Sequence, residues 1–239
     1  RKKMNKISLI IPCYNEEGNI LPLFDELLPV LKEISDRGYS WESVFVDDGS
    51  TDQTANYLKY LQLKHNNIFV VKHDINRGVG NAYRSGFLHA RGDYIITLSA
   101  DREIPPQEIT RVIDLLESGE IFVNTNRSER WGKTLAVHLK WNIPSKIVNS
   151  TVSGIVSRRI KDVGSGLKGF HKSLLNDVRV EDSRYLYFPA YACLNTVKFK
   201  EIDVEFRARE WGRSSRRPLS LVKEVLIETP RLFWHSIRK

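Results

Sequence analysis

The sequence predicts an α/β domain with a mostly parallel central sheet flanked by helices. Short apolar runs alternate with longer segments whose apolar residues recur at helical spacing, and such alternation requires crossover connections between parallel strands. The 239 residues suffice for one domain of this class, and 41% hydrophobic with 28% charged residues is ordinary globular composition. Ligands of such sheets bind at the carboxyl ends of the strands.

The first elements follow from periodicity and from proline. Lys6–Pro12 is an apolar run that ends at proline, which predicts the first strand. From 17 to 35 the apolar residues recur at helical spacing, and Pro29 is expected to break or kink this helix. Glu42–Asp47 is again a short apolar run and predicts the second strand.

The later elements continue the alternation. Ser50 or Thr51 is expected to cap a helix that runs to about residue 63. Pro105 and Pro106 open another helix, since proline is acceptable in a first turn. The remaining strands are predicted at 67–72, 93–99 and 121–123, and the remaining helices at 78–90, 105–117 and, with an interruption at Pro230, 219–239.

Composition excludes several classes of protein. No apolar run reaches the roughly 18 to 20 residues that span a bilayer, and the amino terminus shows no secretory signal, so we expect neither a membrane span nor a leader in this sequence. Cys13 and Cys193 lie far apart in apolar contexts and are expected to be free thiols in a reducing compartment. The six histidines have no zinc-like spacing.

The net charge of +8 is unevenly placed. Residues 126–161 contain eight Lys or Arg and one acid, and residues 213–239 contain seven Lys or Arg and two acids. These stretches are either solvated basic faces or a surface for phosphates, anionic lipid or nucleic acid. No groove-reading motif accompanies them, so we expect no nucleic-acid partner.

Polar residues stand where the predicted strands end, and they do not form a dinucleotide fingerprint. Hydride transfer with a dinucleotide requires Gly-x-Gly-x-x-Gly after the first strand, where this chain has Pro-Cys-Tyr-Asn-Glu-Glu. Gly78-Val79-Gly80 follows the third strand and lacks the third glycine. The fourth strand ends in Ser99-Ala100-Asp101, which brings one carboxylate to the ligand-binding edge.

Six blocks in order resemble family 2 inverting glycosyltransferases of the GT-A fold, in particular the polyprenyl-phosphate branch that includes dolichyl-phosphate mannose synthase. They cover about residues 6–220. The blocks are Pro12-x-Tyr14-Asn15-Glu16-Glu17, Val46-Asp47-Asp48-Gly49-Ser50-x-Asp52, Asn76-Arg77-Gly78-x-Gly80, Ser99-Ala100-Asp101 with Pro105-Pro106, Asp162-Val163-Gly164-Ser165-Gly166-Leu167-Lys168-Gly169-Phe170, and Arg209-Glu210-x-Gly212-Arg213-Ser214.

The resemblance implies transfer of a sugar from a nucleotide-diphosphate donor. Relatives commonly grip a divalent metal, Mg²⁺ or Mn²⁺, with Asp-x-Asp, and the metal neutralises the diphosphate leaving group. Here Asp101 is the expected direct metal ligand, and Ser99, which stands in place of the first Asp, is expected at the metal site as a residue that binds through water or contacts the ribose. The residues that the resemblance implies for the nucleotide sugar are Pro12, Tyr14, Glu16, Asp48, Arg77, Ser99, Asp101, Arg213 and Ser214.

The acceptor determines whether a base is needed. A polyprenyl phosphate is anionic near pH 7 and can attack directly, and Arg127, Arg130 and Lys146 are the expected ligands of its phosphate. A saccharide hydroxyl needs a general base, for which Asp182 is the candidate. A third possibility, motivated by Ser99, is a non-catalytic nucleotide-sugar binder.

The expected organisation is a GT-A domain at 1–218 and an amphipathic helical segment at 219–239. Cations and large apolar side chains alternate in this last segment, as in helices that lie on a membrane surface. The segment is equally compatible with packing on the domain. The lipid acceptor implies a location at the cytoplasmic face of a membrane, with peripheral attachment.

Overall fold

The computed structural model describes residues 5–127, 143–178, 185–212 and 218–238. Within these ranges, seven strands form a single sheet in the order β3-β2-β1-β4-β6-β5-β7. The strands are β1 (Lys6–Cys13), β2 (Ser40–Asp47), β3 (Ile68–Lys72), β4 (Tyr94–Thr97), β5 (Phe122–Asn126), β6 (Lys168–His171) and β7 (Phe199–Asp203).

Helices cover both faces of this sheet. In chain order they are α1 (Glu17–Asp36), α2 (Thr54–Lys64), α3 (Val79–His89), α4 (Glu108–Glu117), α5 (Ile143–Val156), α6 (Phe188–Asn195) and α7 (Pro218–Ile237), with a short 3-10 helix at Lys172–Asn176. The predicted α/β class with a mostly parallel sheet is confirmed.

One strand runs against the others. β1 pairs in parallel with β2 and β4, β2 with β3, and β5 with β7, whereas β6 is antiparallel to both of its neighbours, β4 and β5. The carboxyl ends of the six parallel strands therefore lie at one edge of the sheet, and the start of β6 joins them there. Neither β6 nor β7 was predicted from the sequence.

Alternate residues of β1 supply two separate cores. Ile7, Leu9 and Ile11 pack with α1 and α4 on one face, while Ile10 faces α3 on the other. The contact with α3 is close, because a Cβ on Gly86 would lie 2.2 Å from Ile10 Cγ2. The second core continues through the aromatic residues of β5, β6 and α6. The sheet is thus buried on both faces, as parallel sheets are.

The structure corrects the predictions for the first two helices. Pro29 does not break α1, which is a continuous helix from Glu17 to Asp36. Its buried apolar stripe, which packs in the first core, outweighs the roughly 3 kcal/mol that an interior proline removes. Neither Ser50 nor Thr51 caps α2, which begins at Thr54 without a side-chain cap. Ser50 Oγ instead accepts a hydrogen bond from the backbone N–H of Asn15.

Buried side chains in the second half of the last helix pack on the domain. Glu228 and Leu232 of α7 are fully buried, and the helix contacts α5 and α6. It continues through Pro230, where an interruption was predicted. Among the helices that the structure describes, none is long and apolar enough to cross a bilayer. Cys13 and Cys193 are free, as expected, with Cys13 buried and Cys193 half-buried.

Candidate functional site

The loops that follow β1 and β2 are joined by polar contacts and form one wall of the candidate site. Asn15 adopts a left-handed conformation with φ of 53°, and its Oδ1 accepts a hydrogen bond of 2.8 Å from the Thr51 amide. The Glu16 amide donates to Thr54 Oγ1 at 2.8 Å. The backbone N–H of Gln53 donates to a carboxylate oxygen of Glu17 at 2.9 Å. These contacts fix the direction in which Glu16 leaves the sheet.

Oppositely charged side chains from three strand ends form a continuous chain across the same edge. Arg209, downstream of β7, donates to Asp101 Oδ2 at 2.5 Å and places its Nε 3.5 Å from Glu103 Oε1. Arg127, at the end of β5, lies 3.8 Å from the other oxygen of Glu103. Its Nε and its second terminal nitrogen bind both carboxylate oxygens of Asp162, at 2.7 and 3.0 Å.

The order of charges in this ion-pair chain is Asp101, Arg209, Glu103, Arg127 and Asp162, so each cation lies between two acids. Arg127 is only 6% exposed, and a buried guanidinium requires such partners. Burial opposes its charge, but Asp162 and Glu103 raise the pKa of Arg127. Asp101 and Glu103 thus present carboxylates to one cationic position, which the Arg209 guanidinium occupies.

Glu16 stands beside this chain, where the charges of Asp101 and Arg209 shift the pKa of its carboxyl in opposite directions. Burial raises its pKa to about 7, a hydrogen bond of 2.6 Å from the Asn19 amide group lowers the pKa, and the nearby Asp101 charge raises it again. The segment 209–212 crosses the start of α1 next to it, with the Trp211 ring against Gly18. Glu16 is therefore a half-buried carboxyl that titrates near neutral pH.

Ser99 lies in a narrow space beneath Asp101. A Cβ on Gly166 would stand 2.1 Å from Ser99 Oγ, so only glycine fits opposite the serine. Ser99 Oγ also contacts the hydroxyl of buried Tyr83, whose ring stacks on Tyr185 at 3.9 Å. The neutral hydroxyl at position 99 is consequently enclosed by aromatic and backbone groups.

Asp48 holds a loop in place, while Arg77 extends into solvent. The two carboxylate oxygens of Asp48 accept hydrogen bonds from the amides of Arg77 and Gly78, both at 2.9 Å. Asp48 and its neighbour Asp47 are both buried. One carboxylate oxygen of Asp47, Oδ2, accepts no hydrogen bond from the described part of the chain. Such an oxygen is costly to bury, which is typical of functional sites.

The other predicted site residues are distributed as follows. Pro12 and Tyr14 are half-buried at the end of β1, close to the wall described above. Lys146 is exposed on α5 beside the exposed Ile147. Arg127 is committed to Asp162, and binding of an acceptor phosphate by Arg127 stays a prediction. Four predicted residues, Arg130, Asp182, Arg213 and Ser214, lie outside the described residues.

Sequence reasoning missed Glu103 and the roles of Arg209 and Asp162. Glu103 stands two residues after Asp101, which was the available signal for a second carboxylate at this strand end. Arg209 and Asp162 belong to blocks that carried the family resemblance, but no local pattern indicates that Arg209 reaches Asp101, 108 residues away in sequence.

The residues present fit a divalent cation. Asp101 and Glu103 already direct carboxylate oxygens toward one positive group, and Mg²⁺ and Mn²⁺ prefer such oxygens together with phosphate and water. In the part of the chain that the structure describes, no cluster of three or more His, Cys, Asp or Glu is placed to hold a metal by itself.

Replacement of Glu16 by Gln is expected to reduce the pH dependence of stability. The pKa of about 7 in the folded state exceeds the ordinary value of 4.5, so the stabilising contribution of the carboxyl is complete below pH 4.5 and is lost as the pH rises through 7. This difference corresponds to at most about 3 kcal/mol. The free energy of unfolding, measured with urea in EDTA, should therefore fall more steeply from pH 4.5 to 8 in the wild type than in Glu16→Gln.

The control is Glu33→Gln, which removes an exposed carboxylate from the same helix. It should follow the wild type across the pH range. A difference between wild type and Glu16→Gln that stays constant from pH 4.5 to 8 would show that Glu16 does not titrate in this interval.

Comparison with known proteins identifies the family. The model of the family described as "Glycosyl transferase family 2" matches residues 8–179. An undecaprenyl-phosphate 4-deoxy-4-formamido-L-arabinose transferase of Proteus mirabilis is 30% identical over 225 residues, which are 92% of this chain and 66% of that protein. The protein of the same name from Pseudomonas savastanoi is 32% identical over 218 residues, 90% of this chain and 62% of that protein. The chain spans just under two thirds of the length of these curated relatives.

Solved structures share the architecture. The glucosyl-3-phosphoglycerate synthase from Mycobacterium tuberculosis in complex with UDP superposes with a TM-score of 0.70 at 17% identity, covering 95% of this chain and 80% of that one. The complex of the same synthase with Mn²⁺, UDP and glucosyl-3-phosphoglycerate has a TM-score of 0.66 at 17% identity, with coverages of 98% and 78%. At this identity the likeness shows the GT-A fold, and with the family match it establishes that the chain belongs to glycosyl transferase family 2.

Proposed function

We propose that this chain transfers a sugar from a nucleotide-diphosphate donor to a polyprenyl phosphate at a membrane face. The observation that carries the proposal is the convergence of Asp101 and Glu103 on one cationic position at the carboxyl edge of the sheet. A diphosphate carries negative charge as it leaves, and a cation held by two carboxylates is suited to neutralise it. The names of the curated relatives support a polyprenyl-phosphate acceptor.

The donor site extends from the metal position along the strand ends. Asp101 and Glu103 would hold Mg²⁺ or Mn²⁺, which when bound would balance the diphosphate charge, and Ser99 would contribute only a neutral hydroxyl. Glu16 and Asp48 belong to the wall where the nucleoside is expected, with Pro12 and Tyr14 beside them. Arg77 extends from the adjoining loop toward solvent and is suited to a phosphate or a base. Arg213 and Ser214 complete the donor site in the proposal.

An anionic acceptor would explain the cationic side chains at positions 127, 130 and 146, and it requires no general base. A phosphate monoester is already a nucleophile near neutral pH, so the reaction proceeds without a residue in the role of Asp182. Arg127 and Lys146 lie on β5 and α5 and, with Arg130, would bind the acceptor phosphate. Because α5 packs against α7, the acceptor side of the domain and the last helix are neighbours.

The last helix has an apolar face that points away from the domain. Leu226, Phe233, Trp234 and Ile237 are each more than half exposed, and at helical spacing they fall within one side of α7, opposite buried Leu232. The Arg238 guanidinium lies over the Trp234 ring at 5.5 Å. Aromatic side chains next to arginine suit the interface of a bilayer with anionic headgroups. In the proposal, residues 1–218 form the transferase domain and 219–239 attach it peripherally to the cytoplasmic face of the membrane.

Transfer to the lipid is tested with labelled sugar nucleotides. Donors that stabilise the chain in a thermal-shift screen with Mn²⁺ are selected first, since a ligand that binds the folded state raises its stability. Each selected donor is then incubated with undecaprenyl phosphate in detergent or with soluble saccharides. We expect a glycosylated lipid phosphate, and we expect Asp101→Ala to lower its rate of formation by about 10²–10³-fold, the range for loss of a group that stabilises developing charge.

The matched control is Asp25→Ala, which removes an exposed carboxylate of α1 that is not part of the ion-pair chain and should transfer like the wild type. Product formed only with a soluble saccharide would instead assign the chain to hydroxyl acceptors. Donor binding without transfer or donor hydrolysis, with any divalent ion, would make it a non-catalytic binder. Full activity of Asp101→Ala would exclude the proposed site.

Membrane attachment through α7 is tested by vesicle flotation. We expect the wild type to float with vesicles of phosphatidylcholine and phosphatidylglycerol, and Phe233→Ser with Trp234→Ser to reduce the bound fraction at least tenfold, since each buried aromatic side chain contributes about 1.5–3 kcal/mol. Leu63→Ser, which replaces an apolar side chain that is 77% exposed on α2, is the control and should bind like the wild type. Equal flotation of the double variant and the wild type would refute a docking role for this face.

A further inference from the structure

A buried imidazole connects Asp48 to helix α3. His73 follows β3 directly, and its Nδ1 lies 2.6 Å from Asp48 Oδ1. Its Nε2 lies 2.9 Å from the hydroxyl of Ser85 in α3. The side chains of His73 and Asp48 are 5% and 4% exposed. The three residues, which we name the Asp48 brace, thus join the end of β2, the end of β3 and the middle of α3.

The hydrogen bonds of the brace satisfy every polar group in it. A carboxylate only accepts hydrogen bonds, so Nδ1 of His73 donates to Asp48. The second ring nitrogen, Nε2, shares its hydrogen bond with the Ser85 hydroxyl, which can either donate or accept. The ring of His73 contacts Asp48 with one nitrogen and Ser85 with the other, and so connects the end of β2 to α3. Removal of the imidazole would leave Asp48 and Ser85 buried or half-buried with one partner fewer.

The brace acts on the loop that carries Arg77. Asp48 also binds the amides of Arg77 and Gly78, each at 2.9 Å, so the carboxylate that His73 positions in turn positions this loop. Gly49 leaves room for the same loop, because a Cβ there would lie 2.5 Å from the backbone of Ile75. The backbone of residues 75–78 is therefore held against the end of β2 at several points.

The same residue types serve as nucleophilic triads in hydrolases, but the surroundings differ here. A triad carboxylate orients its histidine, and the histidine activates a serine that reaches the substrate. In this chain Asp48 instead has two backbone amides to hold, and the imidazole is almost completely enclosed. The contacts are those of a structural connection between α3 and a loop.

The loop presents an unengaged cation. The Arg77 side chain is exposed and makes no hydrogen bond or ion pair with any residue that the structure describes. A donor that binds to a flexible loop must order it, which reduces affinity, whereas a loop held in place avoids this loss. We propose that the Asp48 brace presets the Arg77 loop for the nucleotide donor, and that His73 is a positioning residue for donor binding. This inference rests on the proposed function.

Calorimetric binding of UDP and of GDP with Mn²⁺ tests the inference directly. His73→Leu, which removes both hydrogen bonds at similar volume, should weaken binding of the preferred nucleotide about tenfold, equivalent to about 1.4 kcal/mol. Ser85→Ala keeps the bond between His73 and Asp48 and should give a smaller loss. His89→Leu is the matched control, since this exposed histidine binds the backbone carbonyl of Ser85 and not the Ser85 hydroxyl that contacts His73, and it should bind the nucleotide like the wild type.

Two further readouts separate positioning from general stability. Hydrogen exchange of the peptide that contains 74–78 should be faster in His73→Leu, with the peptides of β1 and β4 unchanged. In transfer assays, KM for the donor should rise with kcat nearly unchanged, and His73→Gln, whose amide can still donate to Asp48, should restore part of the affinity.

The outcomes are distinguishable. If the wild type binds neither UDP nor GDP and no sugar nucleotide stabilises it in the thermal-shift screen, the proposed function itself fails. If the wild type binds but His73→Leu binds equally well with unchanged loop exchange, the inference alone is overturned. If His73→Leu does not fold, the Ser85→Ala variant tests the inference. Wild-type affinity for the nucleotide together with wild-type hydrogen exchange of residues 74–78 in Ser85→Ala would then overturn it.

Discussion

The ion pair between Arg209 and Asp101 is the contact on which the organisation of the site depends. It joins a residue downstream of the last strand to the end of β4, and through Glu103 it connects to Arg127 at the end of β5. These groups meet because the parallel strands all end at one edge of the sheet. Carboxylates brought together there would repel one another, and interleaved arginines offset that repulsion. The fold thus concentrates negative charge at one edge, and the cations make this concentration stable.

The same arrangement explains why the site is suited to a charged ligand. Asp101 and Glu103 face a single cationic position, and Glu16 beside them has a raised pKa, chiefly because it is buried and also because the Asp101 charge is near. A ligand that carries a divalent cation and phosphate groups would satisfy both the acids and the arginines. Ser99, enclosed by Gly166 and Tyr83, adds no charge, and Glu103 supplies the second carboxylate that the Ser-Ala-Asp sequence lacks.

The fold of the first half of the chain could be predicted from the sequence, because its strands and helices follow from local patterns. The five strands of the first half, their helices and the polar residues at their ends follow from apolar periodicity and turn residues. The antiparallel β6 was not predicted, because it has only four residues and does not form an apolar run. One of the four is a lysine, Lys168, that is fully buried in the structure. The contact between Arg209 and Asp101, and the connection of His73 to Asp48 and Ser85, depend on tertiary packing between distant segments. No spacing rule within one segment indicates them, and Pro29 shows equally that packing can override a local signal.

In the proposed function, Asp101 and Glu103 together hold a metal with the diphosphate. This metal binding is tested most directly by electron paramagnetic resonance of free Mn²⁺ in titrations of the chain with UDP present. Asp101→Asn and Glu103→Gln should each weaken Mn²⁺ binding about tenfold or more, in line with the loss caused by removing metal-site partners. Glu210→Gln, which replaces a carboxylate that is 70% exposed in the same segment as Arg209, should leave binding unchanged. Wild-type Mn²⁺ affinity in both Asp101→Asn and Glu103→Gln would contradict the account.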